Sequence, residues 1–182
     1  MFRKNIAATA GFALLLGAGF TTPVFADRND NDPRVRRGLE ISPVPMNMRG
    51  KKPAAVGLGS YLVNAVGGCN DCHTNPSFIE GGNPFLGQPK IVNAENFMAG
   101  GAVFGPFVSR NITPDAQGRP AGLSESQFKE VLKTGRDFKL RHPQISPLLQ
   151  VMPWPVYGNM TDKDMEAIYE YLRSIPHAEP RP

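Results

Sequence analysis

Cys69-Asn70-Asp71-Cys72-His73 decides how this chain is read. Cys-x-x-Cys-His is the attachment pattern for c-type haem. Two thiols three positions apart can add across the two vinyl groups of a porphyrin, and the adjacent histidine is then held under the iron as proximal ligand. Both cysteines of the chain and one of its three histidines fall together here, a coincidence that chance does not favour. Two other chemistries compete. A thioredoxin-like redox pair requires a strand–loop–helix setting, whereas here a helical pattern precedes the cysteines and a Gly/Pro-rich stretch comes after them. A zinc site needs a further ligand from His142 or His177, and neither carries a motif of its own.

Working outward, Leu58, Tyr61, Leu62, Ala65 and Val66 recur at the spacing of one helix face, predicting a helix over 54–66 that Gly67 and Gly68 end. Residues 74–123 show no period and are dotted with Gly and Pro. A loop of that length inside a compact domain is expected only where it wraps something. Within it, 102–112 suits a short hairpin. A second helix is predicted over 124–135, opened by the capping box Ser124/Gln127 and closed by Gly135, with Phe128, Val131 and Leu132 as its apolar face. Residues 137–158 read as loop. The third helix, 161–174, has Thr161 and Asp164 as a capping box, Met160 and Met165 as a staple, and Met165, Ile168, Tyr169 and Leu172 on one face. No internal repeat is visible.

Arg3 and Lys4, the apolar run 7–20 and Val24-Phe25-Ala26 read as a secretory signal peptide over 1–26. A membrane anchor is the alternative, but the run is short for a spanning helix. The exported protein would then occupy an oxidising compartment, the periplasm. Residues 27–52 are polar, basic and Pro-rich, and read as an extended arm, disordered or laid over a surface, in which Pro33, Pro43 and Pro45 forbid a long helix. Residues 177–182 form a tail. Gly and Pro make up about a fifth of the 182 residues, above ordinary usage but short of disorder. A net charge of +4 is too small to argue for nucleic acid, and two cysteines exclude a disulfide scaffold.

A haem that only moves electrons needs a distal ligand, commonly methionine, whose soft sulfur favours the ferrous state. Of the methionines beyond the arm, Met160 and Met165 have a role as the staple and Met98 suits packing. Met152 lies in Leu148-Leu149-Gln150-Val151-Met152-Pro153-Trp154-Pro155, a loop stiffened by prolines and so pre-organised to present a ligand. His142 is the runner-up.

The segments 69–73, Ser109-Arg110-Asn111-Ile112-Thr113-Pro114-Asp115, Val151-Met152-Pro153-Trp154-Pro155-Val156-Tyr157 and 160–174 together resemble class I c-type cytochromes of bacteria. More narrowly they resemble the haem domains in cytochrome c subunits of alcohol and gluconate dehydrogenases, over about residues 53–176. The resemblance implies an all-α, cytochrome c-like domain with three main helices and long haem-wrapping loops. It implies one covalent haem c, with His73 proximal and Met152 distal. Arg110, Asn111, Trp154 and Tyr157 are candidate donors to the haem propionates, through the resemblance or their nearness to Met152. A carbonyl within 74–84 is expected to accept from the second ring nitrogen of His73. The chain departs from the family in carrying one such motif where those subunits usually carry three, and in placing Leu123 where an aromatic usually precedes the second helix.

The sequence thus reads as an exported monohaem cytochrome c. It would carry single electrons between redox protein partners, a dehydrogenase or a terminal oxidase. No nucleic acid, no small-molecule substrate and no membrane contact except through a partner are expected. The alternative is a permanently bound electron-transfer subunit of a periplasmic dehydrogenase that oxidises an alcohol, aldehyde or sugar acid, with 27–52 as its clamp. A haem sensor or small-ligand enzyme with an open sixth position is a third class.

Overall fold

The computed structural model describes residues 31–138 and 146–181. The signal segment 1–26, the first residues of the arm and His142 lie outside the described residues. Its helices are α1 (Pro33–Ile41), α2 (Pro53–Tyr61), α3 (Cys69–His73), α4 (Glu125–Thr134), α5 (Trp154–Tyr157) and α6 (Asp162–Leu172). A π-turn, Leu62–Val66, continues α2, and two two-residue strands, β1 (Val103–Phe104) and β2 (Phe107–Val108), form a hairpin. The fold is all-α apart from that hairpin, as the sequence predicts.

α2 is the centre of the packing, held between α1 and α6. Gly57 and Gly59 make this close approach possible. A β-carbon on Gly57 would fall 2.6 Å from the Val35 carbonyl oxygen of α1. One on Gly59 would overlap the Ala167 carbonyl oxygen of α6 and fall 2.8 Å from the Tyr171 β-carbon. Hence α2 is buried from Val56 through Ser60, and again at Leu62 and Val63. The expected single apolar face is therefore corrected: Ala65 and Val66 are exposed. The helix has two partners, and the π-turn shifts the residues after Tyr61 out of the 3.6-residue register.

Over its described residues, 31–52, the arm is laid on a surface, but the reading of it as extended is corrected by α1. Pro33 sits at the first helical position, where its missing N–H costs nothing and its fixed φ suits the helix. Asp32 caps α1 by accepting from the Arg34 amide at 2.9 Å. Val35, Gly38 and Val44 are buried. Inside the interface the Ser60 hydroxyl donates to the Gly38 carbonyl at 2.6 Å. The Tyr171 hydroxyl meets Ser42 Oγ at 3.0 Å and accepts from Asn64 Nδ2 at 3.1 Å. Residues 31–52 are thus packed onto α2 and the C-terminal end of α6.

α4 and α6 begin and bury as predicted. Both capping boxes are present, and Gly135 closes α4 at φ +71°. Met165, Ile168, Tyr169 and Leu172 are all buried. The Tyr169 ring lies 5.4 Å from that of Phe128, and its hydroxyl donates to the Leu123 carbonyl at 2.9 Å, tying α6 to α4. The hairpin falls inside 102–112, with Gly105 at φ +59° in its two-residue turn, the backbone that such tight hairpins favour.

Candidate cofactor site

The route into the site begins at the end of α2. The π-turn brings the chain to Gly67, whose carbonyl accepts from the Tyr157 hydroxyl at 2.8 Å. Gly68, at φ +59°, then turns it into α3. On that single helical turn Cys69 and Cys72 stand at i and i+3, and His73 at i+4 from Cys69, so all three share one side. They form part of the wall of a cavity of about 410 Å³, within the ordinary range for small-molecule and cofactor sites. Leu62, Ile112, Leu123, Phe128, Leu132 and Ile168 supply much of its apolar surface, Met152 and Tyr157 a further side. The loop 74–123 does wrap something: Phe104, Phe107 and Ile112 all face this space.

His73 Nδ1 lies 2.8 Å from the Arg110 carbonyl oxygen. A carbonyl can only accept, so Nδ1 carries the proton and Nε2 carries the lone pair that a metal requires. Burial lowers the imidazole pKa, with the Arg110 hydrogen bond opposing it, so the ring favours the neutral form. The expected acceptor within 74–84 is corrected to Arg110. Sequence proximity is a poor guide here, because Gly100 crosses between the two segments: its amide donates to the His73 carbonyl at 2.7 Å. A β-carbon on Gly100 would stand only 2.5 Å from the Arg110 carbonyl carbon.

Cys69 and Cys72 are free thiols. Burial pushes the Cys69 thiol up to about 12, and burial with the nearby Asp71 charge raises Cys72. Both are therefore held as S–H, the form that adds across a carbon–carbon double bond without loss of any group. Burial, together with the nearby cysteines, pushes the Tyr157 phenol up to about 12. It remains a neutral donor, engaged with Gly67.

Of the remaining sequence candidates, the structure brings Met152, Arg110 and Tyr157 to the cavity and leaves Asn111 and Trp154 off its wall. Trp154 packs on Gly135, where a β-carbon would overlap the indole, and its Nε1–H donates to the Leu149 carbonyl at 3.1 Å. Asn111 Nδ2 donates to the Ala178 carbonyl at 2.7 Å. Arg110 pairs with Asp137 at 2.5 Å. Met98 is fully buried as packing. His177, read as part of a tail, is pinned to Thr113 and Pro114 rather than placed at the cavity. Sequence reasoning missed Asp137 and Arg136, which also line the cavity. Their position after the Gly135 stop was the available signal.

The residues present fit a covalently attached haem: an apolar slot, two S–H groups and a neutral imidazole on one helical turn, and a thioether on another element. Among the described residues no three His, Cys, Asp or Glu side chains gather as a metal-binding set. Fold and site together define a small, mostly helical domain of the cytochrome c type.

Known proteins bear this out. The chain is 30% identical over 119 residues to the gluconate 2-dehydrogenase cytochrome c subunit of Pantoea cypripedii, covering 65% of this chain and 23% of the relative. It is 30% identical over 129 residues to the cytochrome c subunit of the quinone alcohol dehydrogenase of Gluconacetobacter polyoxogenes, covering 69% and 25%. It is 29% identical over 118 residues to the fructose dehydrogenase cytochrome subunit of Gluconobacter japonicus, covering 65% and 21%. The chain therefore spans a quarter or less of the length of each relative. No protein-family model and no solved structure matches it.

Proposed function

We propose that this chain is an electron-transfer component of a dehydrogenase complex, binding one haem c through Cys69 and Cys72. His73 and Met152 would be the residues that ligate its iron. The observation that carries the reading is His73: the Arg110 carbonyl holds its proton on Nδ1 and leaves Nε2 as the basic nitrogen, beside two S–H groups on one apolar cavity. When bound, the haem supplies an iron that accepts and returns a single electron. The chain's own residues attach, orient and shield it. The Cys69 and Cys72 S–H groups would hold it as thioethers, each giving its sulfur to one vinyl carbon and its hydrogen to the other. Phe104, Phe107 and Leu132 exclude water. The Met152 sulfur, presented by a Pro-stiffened loop, favours the reduced iron. Arg110, paired with Asp137 on the cavity wall, would compensate a propionate.

Sequence reasoning alone ranks a free carrier above a bound subunit. The relatives reverse that order, because all three are named as cytochrome subunits of dehydrogenases. Residues 31–52, which the bound-subunit reading makes part of a clamp on that partner, also pack on this domain's own α2 and on Tyr171. Export to the periplasm accords with the signal pattern and suits covalent haem attachment.

Size-exclusion of a native extract, read by haem absorbance and by dehydrogenase assay, tests the reading. Haem of this chain should elute with a much larger dehydrogenase. Elution at the size of one small domain would return the free carrier to first place. His73→Ala protein that kept a low-spin haem spectrum would overturn the ligand assignment.

A further inference from the structure

We infer that the strap after α6, residues 176–181, is a positioning device for His73: through Asn111 and its neighbours it holds the Arg110 carbonyl on the imidazole, and so sets the potential of the centre. The inference rests on the proposed ligation of haem by His73.

The Arg110 carbonyl belongs to a segment that no helix or strand holds, since β2 ends at Val108. It is fixed from two sides instead. On one, the chain around Gly100 lies against it: the Ile112 amide donates to the Met98 carbonyl at 2.9 Å and the Gly101 amide to the Ser109 carbonyl at 3.0 Å. On the other lies the strap. Asn111 Nδ2 donates to the Ala178 carbonyl at 2.7 Å. Its Oδ1 accepts from the Thr113 amide at 2.9 Å and the Thr113 hydroxyl at 2.6 Å. One side chain thus ties the peptide just after Arg110 both to its own turn and to the strap. His177 Nδ1 donates to the Pro114 carbonyl at 2.8 Å, pinning the far end of the same segment. Thr113 is buried, and the bonds around it are partly buried. Farther along, Arg181 pairs with Glu95 at 2.8 Å on the exposed rim.

An Nδ1–H that donates strongly to a carbonyl makes the imidazole a more basic ligand, which stabilises the ferric iron and lowers the potential. Freeing the 110–114 segment lengthens that bond, so the potential should rise. The sign is what separates positioning from packing: a merely structural strap would change stability alone.

The test uses haem-loaded full chain in four forms: wild type, Asn111→Leu, a variant lacking residues 177–182, and Arg181→Ala. Two quantities are read, the reduction potential by spectroelectrochemistry and the solvent exchange of the His73 Nδ1 proton by nuclear magnetic resonance. Asn111→Leu and the deletion should each shift the ferric/ferrous equilibrium about tenfold toward ferrous, about 59 mV upward, and speed exchange of that proton about tenfold. Arg181→Ala should change neither, because the Asn111–Ala178 bond survives. If the deletion does not fold, Asn111→Leu with His177→Phe decides the matter. Variants that lose stability while potential and exchange stay at wild-type values would overturn the inference. A low-spin spectrum surviving in His73→Ala would instead fault the ligation beneath it.

Discussion

Gly38→Ala separates an integral α1 from a loosely laid arm by the sign of its effect. In an exposed helix, replacing Gly by Ala stabilises by about 1 kcal/mol, because Ala loses less backbone entropy on folding. Here a β-carbon would overlap the Gly57 carbonyl oxygen and stand 2.7 Å from the Tyr61 amide nitrogen. Both are backbone atoms inside α2, so neither can swing aside, and the two helices must separate. Overpacking of this kind costs about 1–3 kcal/mol. Separation also breaks the 2.6 Å bond from Ser60 Oγ to the Gly38 carbonyl, leaving buried polar groups unpaired at about 1–3 kcal/mol. Against the propensity gain the net is a loss of about 3 kcal/mol. With a urea dependence of about 2 kcal/mol per molar, the midpoint of the haem-loaded protein should fall by about 1.5 M. Helix circular dichroism across a urea series measures it. An unchanged or raised midpoint would refute the packing of α1 on α2.

Four further outcomes are expected. Met152→Ala should lower the reduction potential by more than about 59 mV, at least a tenfold shift toward ferric iron; an unchanged potential in a redox titration would point to another distal ligand. Gly135→Ala requires a left-handed residue to carry a β-carbon into the Trp154 indole, so it should destabilise by about 2–3 kcal/mol and alter the near-ultraviolet dichroism of the single tryptophan. Thr161→Ala removes the cap of α6 and should cost about 1 kcal/mol in a denaturant titration without moving the haem spectrum. Tyr157→Phe should lose about 1 kcal/mol through its bond to Gly67; a large loss of haem attachment instead would mean that the hydroxyl serves the cofactor directly.

The parts of the fold that were legible in sequence are those specified locally. Ser124 with Gln127 and Thr161 with Asp164 place two helix starts within a residue, and Gly135 places a stop, because capping is a matter of neighbouring residues. The Cys69–His73 motif is local in the same way. The features that failed to show were long-range. Gly57 and Gly59 look like weaknesses in a helix until the backbones of α1 and α6 are seen to need their absent side chains. Asp32-Pro33 is a legible cap and first-turn proline, but the density of proline around it favoured an extended reading. The acceptor of His73 lies 37 residues away in sequence, and nothing in 109–115 distinguishes one carbonyl from its neighbours.

Long-range bonding of this kind is how a loop-rich protein can hold a cofactor precisely. Residues 74–123 contain little regular structure, so their backbone groups must find partners elsewhere. They find them in one another and in the strap. Thr74 Oγ1 accepts from the Met98 amide, the His73 carbonyl from the Gly100 amide, and Asn111 from Thr113. The first two join the chain next to His73 to the 98–100 segment, and the third braces the turn just after Arg110. Side chains that look like candidate ligand contacts in sequence, Asn111 above all, are thereby turned to organise the backbone, and it is a backbone oxygen that reaches His73. Substitutions at such positions should therefore register in the properties of the ligand before they register in the spectrum of the haem, which is why potential and proton exchange are more discriminating measurements here than haem content.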